Sequence, residues 1–497
     1  MSAARRGAGL WWSVWLVGGI LIAMGACSGD DDGTGGGAVG GSTAGSGGTG
    51  TAGSGGTATG TSSGGAGGTG GSGGAPLVPD FYVDKDATGA NDGSSWADAW
   101  QSFADIDWAV VSPGETIVIS GGDSGKTYLE TLDVGASGEE GSQILISGSD
   151  EPGHDGPVTL DGELARDHGI HIRPERYVTV SRMHLSGFTV SAVYVSGASG
   201  SVYSASDAAT QVVVQHLTIN ADGGRGVFVQ TSDHVTVRHC SITTPDWVDA
   251  QTDGIYSQRS QDNVFEYNTI VINNQEPNGH DDGIQLFEDT SDIVRSNYIE
   301  QDNDKSGNAQ GLFASQMHGV TQWYSNVINL NNAQSNGLSF RRLTGTGTVE
   351  IYGNTVYSIR AWHTAQVTET PDPVIKNNIF FSTDAGTAFT LSDWAGDPAN
   401  IDYNLHYSPA SSDVVYFNGS GQTWSEWQGA GFDAHGINAD PAVHDLAARD
   451  FRLTQGSPAL DAGLALGAPY DVDVDGLARP QGAGWDLGAH EYVSGSN

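Results

Sequence analysis

The chain is poor in the residues that would cross-link it or let it grip nucleic acid. Only two cysteines, Cys27 and Cys240, occur in 497 residues. That excludes a disulfide-built scaffold and leaves no cysteine cluster for zinc. Lysine and arginine total 20 against 59 aspartates and glutamates, a formal net charge of −39. Phosphate binding draws on clustered basic side chains, so nucleic acid is excluded as a main partner. No paired-histidine or His-x-Glu spacing points to zinc. No segment between 160 and 410 holds a helical period, which argues against an α-helical body. What abounds is glycine, 73 residues of it, and it serves two different purposes.

The first is a tether. Residues 1–26 read as an export signal, with Arg5 and Arg6 ahead of an apolar run, Leu10 to Met24. That run is shorter than the ~20 residues needed to span a bilayer. Leu21-Ile22-Ala23-Met24-Gly25-Ala26-Cys27 resembles a bacterial lipoprotein box. The resemblance implies lipidation of Cys27 and an exported protein anchored to the outer membrane or cell surface. Residues 27–75 follow as a disordered spacer; from Ser28 to Ala75, 23 of 48 residues are glycine. Nothing there can bury a core, and a coil of that length spans roughly 40 Å. The acid excess lies beyond it: residues 76–497 carry 56 acids against 18 bases.

The second purpose is punctuation of a repeat. Gly226, Gly254, Gly283, Gly311 and Gly337 each open a short apolar strand, at steps of 28, 29, 28 and 26 residues. Asn268, Asn297, Asn326 and Asn354 form a second column, stepping by 29, 29 and 28. Two columns on one period indicate a solenoid of short β-branched strands set between polar turns. Rungs ~4.8 Å apart would stack Ile255, Ile284, Leu312 and Leu338 inward and let the asparagines bond one another. Cys240 reads as a buried small hydrophobe. The expected fold is all-β, a single-stranded right-handed parallel β-helix, and the chain is expected to be a monomer. The N-terminal cap and first rungs take residues 76–160, the main coil 161–410 and a closing segment 411–497. Ala97 to Val111 is expected to be a short helix capping the open end.

These columns, with Phe81-Tyr82-Val83-Asp84 and Gly93-Ser94-Ser95-Trp96 at one end and Gly456-Ser457-Pro458-Ala459-Leu460-Asp461 at the other, resemble the right-handed parallel β-helix proteins of the pectate-lyase-like superfamily, in their secreted bacterial form. The resemblance spans roughly residues 80–490.

Chemistry is expected along one outward column, the residues just before the glycines: Arg225, Asp253, Asp282, Gln310 and Asn336. Asp281 adjoins Asp282, so three carboxylates fall on two adjacent rungs. Carboxylates this close cannot all ionise unless one keeps a proton or a cation lies between them. The plain structural alternative is that Asp-Gly is a common turn pair. Tyr256 and Phe313 alternate with inward residues and are expected to face a sugar. Trp323 is expected in or near the same groove. Thr252-Asp253-Gly254 with Asp281-Asp282-Gly283 resembles the carboxylate triad of polygalacturonases. That would make Asp281 the acid, with Asp253 and Asp282 serving the water. The histidine-bearing rung and Arg-x-Lys pair of that family are absent, Arg341-Arg342 being the nearest basic pair. The same residues resemble a calcium-dependent pectate lyase group. That likeness implies Ca²⁺ held by Asp253, Asp281 and Asp282, with Gln310 and water completing the shell and Gln285 in place of a further Asp. It also implies a basic proton acceptor among Lys305, Arg341 and Arg342. Calcium would offset the repulsion between an acidic body and a uronate polymer.

Asp471-Val472-Asp473-Val474-Asp475-Gly476 resembles the start of a calcium loop, but Gly482 stands where the twelfth-position Glu belongs, so an acidic turn is expected. Three function classes stay open: a polysaccharide lyase or hydrolase, a carbohydrate-binding or adhesive surface protein, and a purely structural solenoid.

Overall fold

The structure, a computed structural model, describes residues 77–244, 252–273, 281–301, 310–330, 336–359, 363–370, 372–384 and 386–495. The export signal, Cys27, the tether and Lys305 lie outside the described residues.

The chain coils through about 10 turns, and successive turns pair in parallel. One rung consists of the strands Ile255–Gln258, Val264–Glu266 and Thr269–Ile272; the next consists of Ile284–Phe287, Ile293–Arg295 and Tyr298–Gln301. Each strand aligns with its counterpart on the neighbouring rung. Ile255 pairs with Ile284, Ile284 with Leu312, and Leu312 with Leu338. All four point inward with 1% or less of their surface exposed. Stacked β-branched and leucine side chains fill a narrow lumen, and their burial is the main favourable term.

Glycine is forced in its column by close approach rather than by dihedral angle. A Cβ on Gly283 would lie 2.4 Å from Ile299 Cγ2 and 2.5 Å from the Gly311 carbonyl oxygen. No side chain fits between backbones that close.

The asparagine column is a continuous amide ladder. Asn268, Asn297 and Asn326 each donate from Nδ2 to the next rung's Oδ1 at 3.0 Å, and the same Oδ1 accepts the backbone N–H of the previous asparagine. It continues through Asn354, Asn378 and Asn404, beyond the four positions on the regular period. Cys240 holds the first position, its N–H donated to Asn268 Oδ1 at 3.0 Å; it is a free, buried thiol. Asp433 closes the other end, its Oδ1 accepting both N–H groups of Asn404 and its Oδ2 accepting Trp427 Nε1–H at 2.9 Å. The ladder also offsets strain. The residues just before it, Tyr267, Ser296 and Ser325, are left-handed at φ 54°, 54° and 53°, a conformation costing about 1–3 kcal/mol for a non-glycine residue.

The two ends are covered differently from each other. Ala97 to Val111, expected as a capping helix, holds only the 3₁₀ turn Phe103–Asp105. Trp100 is drawn into a bridge with Val83, which breaks helical continuity, while Trp100, Phe103 and Ile106 still seal the first rung. At the far end the one α-helix among the described residues, Trp424–Gly429, carries a Thr423–Glu426 capping box and buries Trp427 against Phe432 at 3.9 Å. The tail then returns along the outside of the coil. Gly488 N–H bonds the Asn377 carbonyl at 2.7 Å, and Ala489 N–H bonds Thr355 Oγ1 at 2.9 Å. Asp473 works as an acidic turn, accepting the N–H groups of Asp475, Leu477 and Glu491 at 2.8–2.9 Å.

Replacing Asn326 with Ala orphans the buried Asn297 backbone N–H and removes the Nδ2 donor to Asn354 Oδ1, while Asn297 Nδ2 keeps the Phe265 and Arg295 carbonyls. The expected loss is about 3 kcal/mol by urea unfolding. Asn326→Asp should be no better, because a carboxylate cannot donate to Asn354.

Candidate functional site

The residues ahead of the glycines form one file, as the period requires. Gly226 N–H bonds the Asp253 carbonyl at 3.0 Å, Gly254 N–H that of Asp282 at 2.9 Å, and Gly283 N–H that of Gln310 at 2.9 Å. Arg225 starts the file; near its end, Asn336 donates to Gln366 at 2.7 Å.

The carboxylates are not open to a groove. Asp253 and Asp282 are wholly buried and Asp281 is 2% exposed, which corrects the outward placement expected from alternation. Each spends Oδ1 on a neighbouring rung: Asp253 accepts Asp282 N–H at 3.0 Å, Asp282 accepts Gln310 N–H at 2.8 Å and Asp281 accepts Thr252 N–H at 2.7 Å. Burial pushes Asp253 up to about 7; Arg225 opposes the rise and Asp281 adds to it. Asp282 is raised well above the usual carboxylate range, by burial first and then by Asp253. A site of this kind favours a shared proton or a bound cation over two bare charges.

Two arginines distant in sequence act on this row, one by contact and one through its charge. Arg225 Nε lies 3.5 Å from Asp253 Oδ2, with its guanidinium over the rings of Tyr256 at 4.7 Å and Phe228 at 5.0 Å. Arg341 lies over Phe313 at 5.4 Å, and its charge opposes the rise at Asp282. Arg342, although adjacent, is separate: it is left-handed at φ 66°, exposed, and paired with Glu369 at 2.7 Å. Its left-handed backbone interrupts the alternation inside the strand Leu338–Tyr352, so the two side chains part.

Tyr256 and Phe313 share the outward register with Phe228 and Gln285. Tyr256 stacks on Phe228 at 5.2 Å, and Phe228 on Tyr194 at 5.1 Å. With Arg225 over the same ring, a sugar would meet the edge of Tyr256 rather than its face. Trp323 points into the lumen, fully buried, and belongs to the core.

The donor chemistry fits calcium, while the expected three-carboxylate set is not preassembled. Among the described residues no hydrogen-bond donor reaches the buried Gln285 Oε1 and Gln310 Oε1, and Asp253 Oδ2 has only Arg225 Nε at 3.5 Å; these are the hard donors that Ca²⁺ takes. Among the described residues, only Asp473, Asp475 and His490 bring three acidic or imidazole ligand atoms within 4.8 Å of one another. Asp253, Asp281 and Asp282 are held apart by their separate backbone bonds. The Asp473 group is already satisfied by backbone N–H groups and by a 3.0 Å contact between Asp475 and His490. Sequence reasoning placed Arg225 in the file without a role. Its signal was a lone cation one rung from Asp253.

The family profile described as "Right handed beta helix region" matches residues 168–356, in keeping with the parallel β-helix of the folded body. Among solved structures, pectate lyase Pel9A aligns at 18% identity, covering 83% of this chain and 96% of that one, with a TM-score of 0.48. XylC in complex with xylose aligns at 8% identity, covering 83% and 98%, with a TM-score of 0.48. A rhamnogalacturonan lyase aligns at 11% identity, covering 76% and 95%, with a TM-score of 0.39. At these scores the likenesses bear on neither substrate nor mechanism. A comparison with curated proteins finds no match.

The same burial acts on a second pair. Asp289, pushed up to about 7, and Asp292, raised well above the usual carboxylate range by burial and then by Asp289, are wholly buried and accept Ser260 N–H at 2.7 Å and Asn263 N–H at 2.9 Å. A raised carboxyl binds its proton more tightly in the folded chain, so its contribution is complete below the ordinary value of 3.8 and is lost as pH rises through about 7. Thermal unfolding should therefore move to lower temperature over that interval. Asp289→Asn, which keeps the acceptor for Ser260, should flatten the slope. An unchanged slope would mean that Asp289 is ionised in the folded chain.

Proposed function

We propose that the protein is exported, lipid-anchored at Cys27, and acts on an extracellular uronate-containing polysaccharide as a calcium-assisted lyase. The observation that carries this reading is a buried acid row with Arg225 beside Asp253 and the charge of Arg341 acting on Asp282, where the side-chain oxygens of Gln285 and Gln310 find no hydrogen-bond donor among the described residues. A body with 56 acids against 18 bases repels a polyanion, so a uronate can settle only where local cations reverse the field.

In this reading Asp253, Asp282, Gln285 and Gln310 would hold Ca²⁺, with Asp281 supporting the row, and the ion held there would supply positive charge against the negative charge developing on the uronate carboxylate. Arg225 orients that carboxylate through its fixed guanidinium plane. Arg341 takes the base's role. To do so it must first lose a proton to solvent; the neutral guanidine would then take the proton from the carbon next to the carboxylate, the freed electron pair would form the carbon–carbon double bond as the carbon–oxygen bond to the leaving sugar breaks, and water would protonate the leaving oxygen. Phe313 packs beneath Arg341 and fixes its approach.

A second reading, a binding or adhesive surface without turnover, draws on a different observation. All three carboxylates are at most 2% exposed and each already holds a backbone N–H. Inverting hydrolysis with Asp281 as acid is the remaining alternative.

Polygalacturonate and alginate incubated with the full chain, with and without chelator, separate these. The lyase reading expects unsaturated ends that vanish on chelation and fall at least ~100-fold in Arg341→Ala, with the unfolding temperature unchanged. Reducing ends formed without unsaturation or calcium would support hydrolysis. Saturable binding without products would support the second reading, and inactivity with no binding would contradict both.

A further inference from the structure

The first-sheet strands that begin at the acid row end at a separate concavity. One position is left-handed in three successive rungs: Arg259 at φ 52° and Glu288 at 57°, each just after its strand, and Gln316 at 60°, at the matching point inside the longer strand Leu312–Tyr324. Each therefore turns outward. Two residues on, Gln261, Thr290 and His318 pair in parallel and form a second row beside the first. Between the rows lies a cleft of about 410 Å³, within the usual ~300–1,000 Å³ range of ligand sites. It stands about 13 Å from the acid row, four strand residues at ~3.3 Å each.

The cleft is walled at both ends. On one side the segment Ser201 to Tyr203 closes it, and on the other Thr344. The first wall is tied down: Tyr203 Oη–H donates to Asp233 Oδ2 at 2.7 Å, and Arg259 Nη1 donates to the Ser201 carbonyl at 3.4 Å. A trough three rungs long, ~10 Å between its outer rungs, is too short for a continuous polymer groove but accommodates a chain end or a short branch.

Its chemistry is uncharged overall. Arg259 is neutralised by Glu288 at 2.5 Å, and the Asp233 carboxylate is engaged by Tyr203. The Thr290 hydroxyl, the Gln316 amide and the His318 imidazole line the trough without a side-chain hydrogen bond among the described residues. Together they offer both donors and acceptors, which is what a sugar hydroxyl requires, since it donates one hydrogen bond and accepts others. The Tyr203 ring adds an apolar surface for the C–H face of a pyranose. Among the described residues lining the trough the one arginine, Arg259, is already paired with Glu288, which disfavours an anionic ligand, and a protein partner would need a larger and flatter apolar area.

The geometry points to this trough as a second carbohydrate site, specific for a short neutral oligosaccharide and independent of any turnover at the acid row. The test is calorimetric titration of the full chain with neutral β-linked gluco-, xylo- and galacto-oligosaccharides of two to four units, alongside trigalacturonate. One neutral series should bind saturably at one site per chain. Thr290→Trp, which fills the trough, and the milder Gln261→Ala/Gln316→Ala pair should each weaken that binding at least ~10-fold, with thermal unfolding as the check on folding. Asp282→Asn should leave it unchanged. Absence of saturable binding across the neutral panel would overturn the proposal. So would binding insensitive to both trough variants, binding lost in Asp282→Asn, or binding restricted to trigalacturonate.

Discussion

The amide ladder running from Asn268 to Asp433 is the constraint on which the rest of the structure depends. Parallel strands paired by backbone alone can slip by a residue, and a one-residue slip would turn every inward side chain outward. Each ladder asparagine prevents this because its Oδ1 serves two donors on one neighbouring rung and its Nδ2 reaches an acceptor on the other. The bonds at 2.9–3.0 Å are buried, so their loss would leave polar groups stranded from water. They also hold the left-handed corners before them. Asp433 ends the series with an acceptor-only side chain, which suits a last rung that has no further neighbour to donate to, and Trp427 anchors it.

Fixed register is what makes the acid row possible. Asp253 and Asp282 are 29 positions apart and become neighbours because glycine lets adjacent backbones close up in the file between them. The same stacking sets Arg225 in the row beside Asp253, while Arg341, in register with Ser315 and Phe287, lies over Phe313 and acts on Asp282 through its charge. A carboxylate held to a backbone N–H by one oxygen and buried on the other side costs free energy unless a proton or cation joins it. Such a row is better explained by what it binds than by stability. The trough at the other end of the strands draws on the same rigidity but carries no comparable electrostatic cost. The two sites divide one sheet between charged and neutral chemistry.

Much of this is legible in the sequence because single close contacts enforce single residue types. Gly254, Gly283 and Gly311 permit no Cβ, and Asn268 to Asn354 permit no other side chain with the same donor and acceptor, so both columns stand out at one period. Legibility fades where the rungs shorten. Asn378 and Asn404 follow at steps of 24 and 26 and the ladder ends on an aspartate, so the later ladder escapes a search for a fixed repeat. Burial of the carboxylates is not readable from strand alternation, because they lie before the strands rather than in them. Arg341 and Arg342 look interchangeable in sequence, and only the left-handed backbone at Arg342 separates them. Ala97 to Val111 looks helical in composition, but its Trp100 is recruited by the first rung.

The central claim is that the row at Asp253 and Asp282 is completed by a cation rather than by a proton alone. The most direct measurement is a crystal structure of the full chain grown at neutral pH with calcium and a short uronate oligomer, with anomalous scattering used to identify the ion. The account predicts one calcium bounded by Asp253, Asp282, Gln285 and Gln310, with the oligomer's carboxylate beside Arg225. A row without an ion, its carboxyls protonated and contacting only Arg225 and backbone N–H groups, would contradict it.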